Sequence, residues 1–198
     1  MIRRKGKENF FMVRLHLLVI NTSLEGQALR AAAECWGADV TVTWVGNSRQ
    51  VVEYLSQSPT QDVIVISGHG DERGLLLPEL AEEIRNHYPY HEVIRPPDFA
   101  DFLQLRGNLV INTSCMGGIS SLAQVFLKRG ARYYIGPTAY PEGDAVLMYM
   151  LEFFYHYFCT ALGVEEAHLK ASNHDDDRKQ FELYQAPTIF GQVRSGVR

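Results

Sequence analysis

Cysteine is scarce in this sequence. The 198 residues hold 3, Cys35, Cys115 and Cys159, far apart and with no C-x-x-C spacing. That excludes a disulfide framework and a cysteine zinc site, and it points to a reducing, cytoplasmic setting. An excess of positive charge is missing too. Lys and Arg total 19 against 23 acids, a formal net charge of −4, so there is no electrostatic footprint for nucleic acid. Uninterrupted apolar runs of membrane length are also lacking. The basic start "MIRRKGKENFFMVRLHLLVI" is broken by Arg14 and His16 with no small-residue cleavage site after it, and reads as a flexible basic tail over residues 1–11 followed by a strand. The run Ala145 to Leu162 carries Glu152, His156 and Thr160 at i, i+4 and i+8, one polar stripe on an otherwise buried helix, so no membrane partner is expected. Internal repeats and low-complexity tracts are absent.

What is present is an ordinary globular composition, 46% hydrophobic and 21% charged, with alternating elements. Val13 to Ile20 reads as a strand and Ser23 to Trp36 as a helix with Ser23 as N-cap. "ADVTVTWVG" follows as a strand, then "SRQVVEYLSQ" as an amphipathic helix. Further strands are predicted at Asp62 to Ser67, Leu109 to Thr113 and "RYYIGP", with helices at Ser120 to Arg129 and Asp144 to Leu162. Alternation of this kind predicts an α/β fold: a mostly parallel central sheet with helices on both faces, a single domain over residues 12–198. Between Gly74 and Asp98 the sequence turns irregular, with four prolines and two histidines, and reads as a partly helical insert.

Two stretches carry the chemistry, "DVIVISGHGDE" (Asp62 to Glu72) and "GNLVINTSCMGG" (Gly107 to Gly118). Each is an apolar β-run with a reactive side chain two positions past its end, His69 in one and Cys115 in the other. If these strands are parallel neighbours about 4.8 Å apart, both side chains leave at the carboxyl edge of the sheet, where ligands bind in open α/β folds. An imidazole beside a thiol can take its proton and make it a nucleophile. Gly70 brings a backbone N–H close to a substrate carbonyl without a side chain in the way, so that the Gly70 and Cys115 amides form an oxyanion hole. Gly117 and Gly118 let the chain turn into a helix whose positive end favours thiolate. Cys35 and Cys159 fall on apolar helix faces, which leaves Cys115 as the cysteine to react first with iodoacetamide.

Other patterns are weaker. Gly68, Gly70 and Gly74 are one residue too widely spaced for G-x-G-x-x-G, and Pro78 breaks the helix that should follow. "NHDDDR", Asn173 to Arg178, lacks the glycine and distal glutamate of a calcium loop and reads as a solvated helix end. His87 and His91 flank Pro89 without a third metal ligand. No cofactor and no metal is expected.

Strand, "SGHGD", strand, "NTSCMGG" resembles the His-Gly and small-residue-Cys signature of caspase-like (clan CD) cysteine peptidases. The later text, "YYIGPTAYPEGDAVLMYMLEFFYHYFCTALGVEEAHLKAS", is similar to the CHAT branch, in which a strand leads through a Pro and an Asp into a long helix with a Phe-Tyr pair. "APTIFG", Ala186 to Gly191, resembles the closing strand of that branch. The resemblance runs from about Val63 onward. It implies a caspase-like three-layer sandwich and an endopeptidase with His69 as general base, Cys115 as nucleophile and Gly70 in the oxyanion hole. A protein or peptide substrate follows, and a regulatory partner or processing step to restrain activity. The alternative is a catalytically silent caspase-like scaffold, against which the intact His and Cys argue.

Two positions depart from the pattern. Ser114 stands where Ala is usual, and Thr113 where caspases carry the Gln that helps bind an acidic side chain on the substrate's P1 residue. Around these residues the substrate pocket is expected to include Glu142 and Asp144 from "GPTAYPEGD", which favour a basic P1. Asp144 has the alternative role of capping the helix after it, and Arg73 and Arg95 would select an acidic P1 instead.

Overall fold

In the computed structural model, which describes residues 12–160 and 162–187, the central sheet has six strands. They are β1 (Arg14–Val19), β2 (Asp39–Trp44), β3 (Val63–Ser67), β7 (Leu109–Asn112), β8 (Tyr133–Pro137) and β9 (Phe181–Gln185). Their order is β2-β1-β3-β7-β8-β9, parallel except for β9, which runs antiparallel along β8. The central strands are apolar on both faces because both are covered. On one side Leu15, Leu17, Val65 and Ile111 pack under α1 (Ser23–Cys35), α6 (Gly143–Phe154) and α7 (Val164–Ser172). On the other side Leu18, Ile64, Ile66 and Val110 pack under α2 (Ser48–Ser56), α4 (Pro96–Phe102) and α5 (Ser120–Lys128). The three-layer α/β sandwich is as expected.

Local details differ from the sequence reading. The insert after β3 contains a second, three-stranded sheet, β4 (Gly70–Asp71), β5 (Gly74–Leu76) and β6 (Val93–Ile94), beside the one-turn helix α3 (Glu82–Arg85). Ser23 is the first helical residue of α1; Thr22 holds the N-cap position, and its hydroxyl meets Ser67 Oγ at 2.6 Å instead of capping the helix. The predicted helix is α-helical only to Phe154 and continues as a π-helical turn, Tyr155–Cys159, with His156 Nε2 3.7 Å from Glu152 and the Thr160 hydroxyl donating to the His156 carbonyl at 2.8 Å. Glu152 is also an anchor for the segment after α7, accepting from His174 Nε2 at 2.7 Å and from Arg178 at 3.2 Å, while Arg178 Nε also donates to Asp175 at 2.6 Å. "NHDDDR" is therefore tied back onto α6. The closing strand is Phe181–Gln185, ahead of the expected position, and most of Ala186 to Gly191, like the tail at residues 1–11, lies outside the described residues. Among the described residues no helix is long and apolar enough to cross a membrane.

His16 on β1 is a buried polar residue in this framework, 5% exposed, stacked on Tyr54 at 3.9 Å with Nε2 2.8 Å from Thr43 Oγ1. Burial disfavours its charged form and pushes its pKa from 6.5 down to about 4. A pKa lowered by folding means that the unfolded chain binds the proton first. His16 is therefore neutral to stability above pH 6.5, and its burial costs progressively more stability as pH falls from about 6.5 to about 4. Urea midpoints across that window should fall, and the His16→Gln variant should flatten the part of the slope that His16 causes.

Candidate active site

Strands β3 and β7 pair in parallel with Ile66 opposite Asn112, and the Thr113 N–H donates to the Ile66 carbonyl at 2.9 Å, extending the ladder past the strand ends. His69 lies three residues beyond Ile66, and Cys115 three beyond Asn112. The two chains thus leave the sheet in register, at the same edge. The backbones then touch: a methyl group at Gly70 would overlap the Cys115 carbonyl oxygen and come within 2.9 Å of Ser114 Oγ, so only glycine fits.

Two amides belong to this junction. In the β4–β5 hairpin the Leu76 N–H donates to the His69 carbonyl at 2.9 Å, which makes Gly70 and Leu75 a non-hydrogen-bonded pair and leaves the Gly70 N–H out of the ladder. The Cys115 N–H meets no acceptor on another described residue and acts on its own sulfur. Neither donor expected in an oxyanion hole is therefore bonded to a neighbouring residue.

Cys115 is half-buried and His69 is exposed, its ring without a hydrogen-bond partner among the described residues. Burial pushes the Cys115 thiol pKa up, its own backbone N–H partly opposes the rise, and the nearby negative charge of Glu142 adds to it. The helix after the nucleophile begins only at Ser120, and Cys115 to Gly118 form a turn, so the expected depression by a helix N-terminus does not occur. Cys35 is exposed, because the core face of α1 is Gly26, Leu29 and Ala33. Preferential labelling of Cys115 by iodoacetamide at neutral pH is thus no longer expected: its thiol is protonated and Cys35 is accessible.

The pocket residues divide. Glu142 is close enough to Cys115 to shift its titration, at the N-cap position of α6 but with no capping bond from its side chain. Asp144 lies in the first turn of α6 with Oδ1 accepting from the Ala145 N–H at 2.9 Å, a role inside the helix. Thr113 and Ser114 are buried, their hydroxyls donating to Glu25 Oε1 at 3.0 Å and Asn112 Oδ1 at 2.7 Å, so neither side chain lines an open pocket. Arg73 is paired with Asp71 at 2.9 Å, and Arg95 belongs to a groove in the insert shared with Arg85 and His91. The phenol of Tyr140 lies beside the Glu72 carboxylate, which raises its pKa to about 12.

Glu25 was not legible as a site residue. It projects from the first turn of α1 onto the carboxyl ends of β3 and β7, where Oε1 accepts from Ser67 Oγ at 2.8 Å as well as from Thr113. Burial raises its pKa, opposed by these two hydroxyls and by the charge of His69. This half-buried carboxylate lies near enough to the imidazole of His69 to feel its charge.

Two solved structures share this architecture. The Arg-specific cysteine proteinase gingipain R superposes with a TM-score of 0.58 at 9% identity, over 88% of this chain and 46% of that one. A secreted C11 cysteine protease from Bacteroides thetaiotaomicron, solved with an irreversible peptide inhibitor, gives 0.53 at 12% identity, over 88% of this chain and 66% of that one. The fold is the caspase-like sandwich. At these identities the likeness is one of fold, and this chain spans about half and about two thirds of the length of these neighbours. No protein-family model and no curated protein matches the chain.

Proposed function

We infer that the protein is a cysteine endopeptidase of the caspase-like kind, of the CHAT type by its motifs. The observation that supports the reading is the shared register of β3 and β7, which brings Gly70, the residue after His69, against the Ser114–Cys115 backbone. Because the Cys115 thiol is held protonated, its deprotonation is coupled to attack. His69 takes the S–H proton as sulfur bonds to the peptide carbonyl carbon, and the C=O pair moves to oxygen, facing the Gly70 and Cys115 amides. The imidazolium that forms lies beside Glu25, whose charged form is favoured at the same moment. Collapse breaks the C–N bond, with the imidazolium proton going to the departing amine. Water then attacks the thioester with His69 as base, releasing the acid and restoring the thiol.

Glu142 at the nucleophile supports a basic P1 residue, and gingipain R, described as Arg-specific, shares the fold. Peptidyl acyloxymethyl ketones bearing Arg, Lys, Asp or Leu at P1 test activity and specificity together. The expected result is a stoichiometric adduct on Cys115, fastest with Arg or Lys. Glu142→Gln should weaken that preference and at the same time speed simple alkylation of Cys115, since the like charge that raises the thiol pKa is removed. No adduct with any of the four would end the peptidase reading, and an Asp preference would show that the pocket is built from other residues.

A further inference from the structure

The nucleophile turn is held from below by two tyrosines. Asn112, buried at the end of β7, accepts from the Ser114 N–H at 3.0 Å and from Ser114 Oγ at 2.7 Å, and its amide donates to Tyr134 OH at 3.2 Å. Tyr134 OH donates to the Gly117 carbonyl at 2.6 Å, and Tyr184 OH to the Gly118 carbonyl at 2.7 Å. These residues face each other across β8 and β9. On the upper side the Met116 N–H donates to Ala139 at 2.9 Å and the Gly118 N–H to Pro137 at 2.7 Å, while the Gly117 N–H closes onto Ser114 at 2.9 Å. Gly118 lies directly on the Gly136 backbone, with no room for a methyl group between them.

From Ser114 to Gly118, then, every amide but one is bonded, and the exception is that of Cys115. The next residue, Met116, has φ of 58°, left-handed backbone that an L residue avoids unless its surroundings impose it. The turn is pinned at both ends with a left-handed residue in the middle, and the one amide it leaves unbonded to any neighbouring residue is that of Cys115.

We propose that Tyr134 and Tyr184 are positioning residues for the reaction: through the Gly117 and Gly118 carbonyls they hold the turn in the geometry that aims the Cys115 N–H at the developing oxyanion. The role rests on the peptidase reading above. Neither phenol touches substrate, so each acts on transition-state stabilisation and leaves the sulfur itself as it is.

Two reagents separate these effects. A peptidyl aldehyde is attacked by sulfur to give a thiohemiacetal: the C–S bond forms, the carbonyl pair moves to oxygen, and that oxygen takes the proton from the His69 imidazolium. Iodoacetamide alkylates the same sulfur by displacing iodide and develops no oxyanion. Tyr184→Phe and Tyr134→Phe should each weaken binding of arginyl and leucyl peptide aldehydes by about tenfold or more. Iodoacetamide labelling of Cys115, followed by site mapping, should stay within about twofold. Tyr134 is fully buried, and should its variant not fold, Tyr184→Phe at the sheet edge carries the test alone. Equal changes with both reagents, or no change with either, overturn the positioning role while the peptidase reading stands. Wild-type protein that alkylates with iodoacetamide but takes up neither aldehyde overturns the reading and the role with it.

Discussion

Replacing His69 by alanine should lower turnover of a peptide substrate by about 10²- to 10⁴-fold, the range for loss of a positioned general base. The effect is expected at the upper end because burial and Glu142, outweighing the Cys115 amide, favour the protonated thiol and leave it dependent on a base. Stability should hardly change, since the His69 side chain is exposed and makes no hydrogen bond among the described residues. Rates should recover partly at alkaline pH, where hydroxide replaces the base. Glu25→Gln is the informative companion. It keeps an oxygen for the Ser67 and Thr113 hydroxyls but removes a negative charge facing the positive charge that develops on the imidazole, for an expected loss of about tenfold. Initial rates of the two variants, with thermal melts alongside, check both statements, and a His69→Ala enzyme within threefold of wild type would place the base elsewhere.

Gly70→Ala should be nearly as damaging, for a different reason. The added methyl meets the Cys115 carbonyl and Ser114 Oγ, and the Cys115 carbonyl belongs to backbone with little room to yield. The hairpin has to move away from the nucleophile turn, carrying the Gly70 N–H with it, which should cost about 10²- to 10³-fold in kcat through the lost oxyanion donor. Overpacking should also cost about 1–3 kcal/mol of stability. Gly143→Ala is the matched control, since a methyl there meets nothing within 4 Å. A Gly70→Ala protein with normal kcat would show that its amide is not the donor.

Some of this was legible one residue at a time. Apolar β-runs buried on both faces are a local pattern, and they marked β1, β3 and β7 to within a residue or two. His69 and Cys115 stood out as a candidate pair because each follows such a run at the same offset, and the parallel pairing of the runs puts both offsets at one edge of the sheet. The sequence could not show which face of α1 meets the sheet. That choice leaves Cys35 in solvent and turns Glu25 onto the ends of β3 and β7, where it meets Thr113 from 88 residues away.

The electrostatic state of the nucleophile was likewise a matter of tertiary structure. A Gly-Gly after Cys115 suggests a helix start, yet the chain makes a turn first because Gly118 is drawn against Gly136 and Pro137 of the neighbouring strand. The thiol then feels burial and Glu142, with no helix N-terminus beside it. Strand β9 was hidden for a related reason. "FELYQ" is short and half-exposed, and it becomes a strand only because β8 offers an unpaired edge. Its pairing then brings Tyr184 opposite Tyr134. Residue types and local periodicity thus determined the fold class and the candidate pair His69 and Cys115. Long-range packing decided the surroundings of the Cys115 thiol, the placement of the Glu25 carboxylate and the bonding of the turn around Cys115, because each depends on groups that meet only once the sheet has formed.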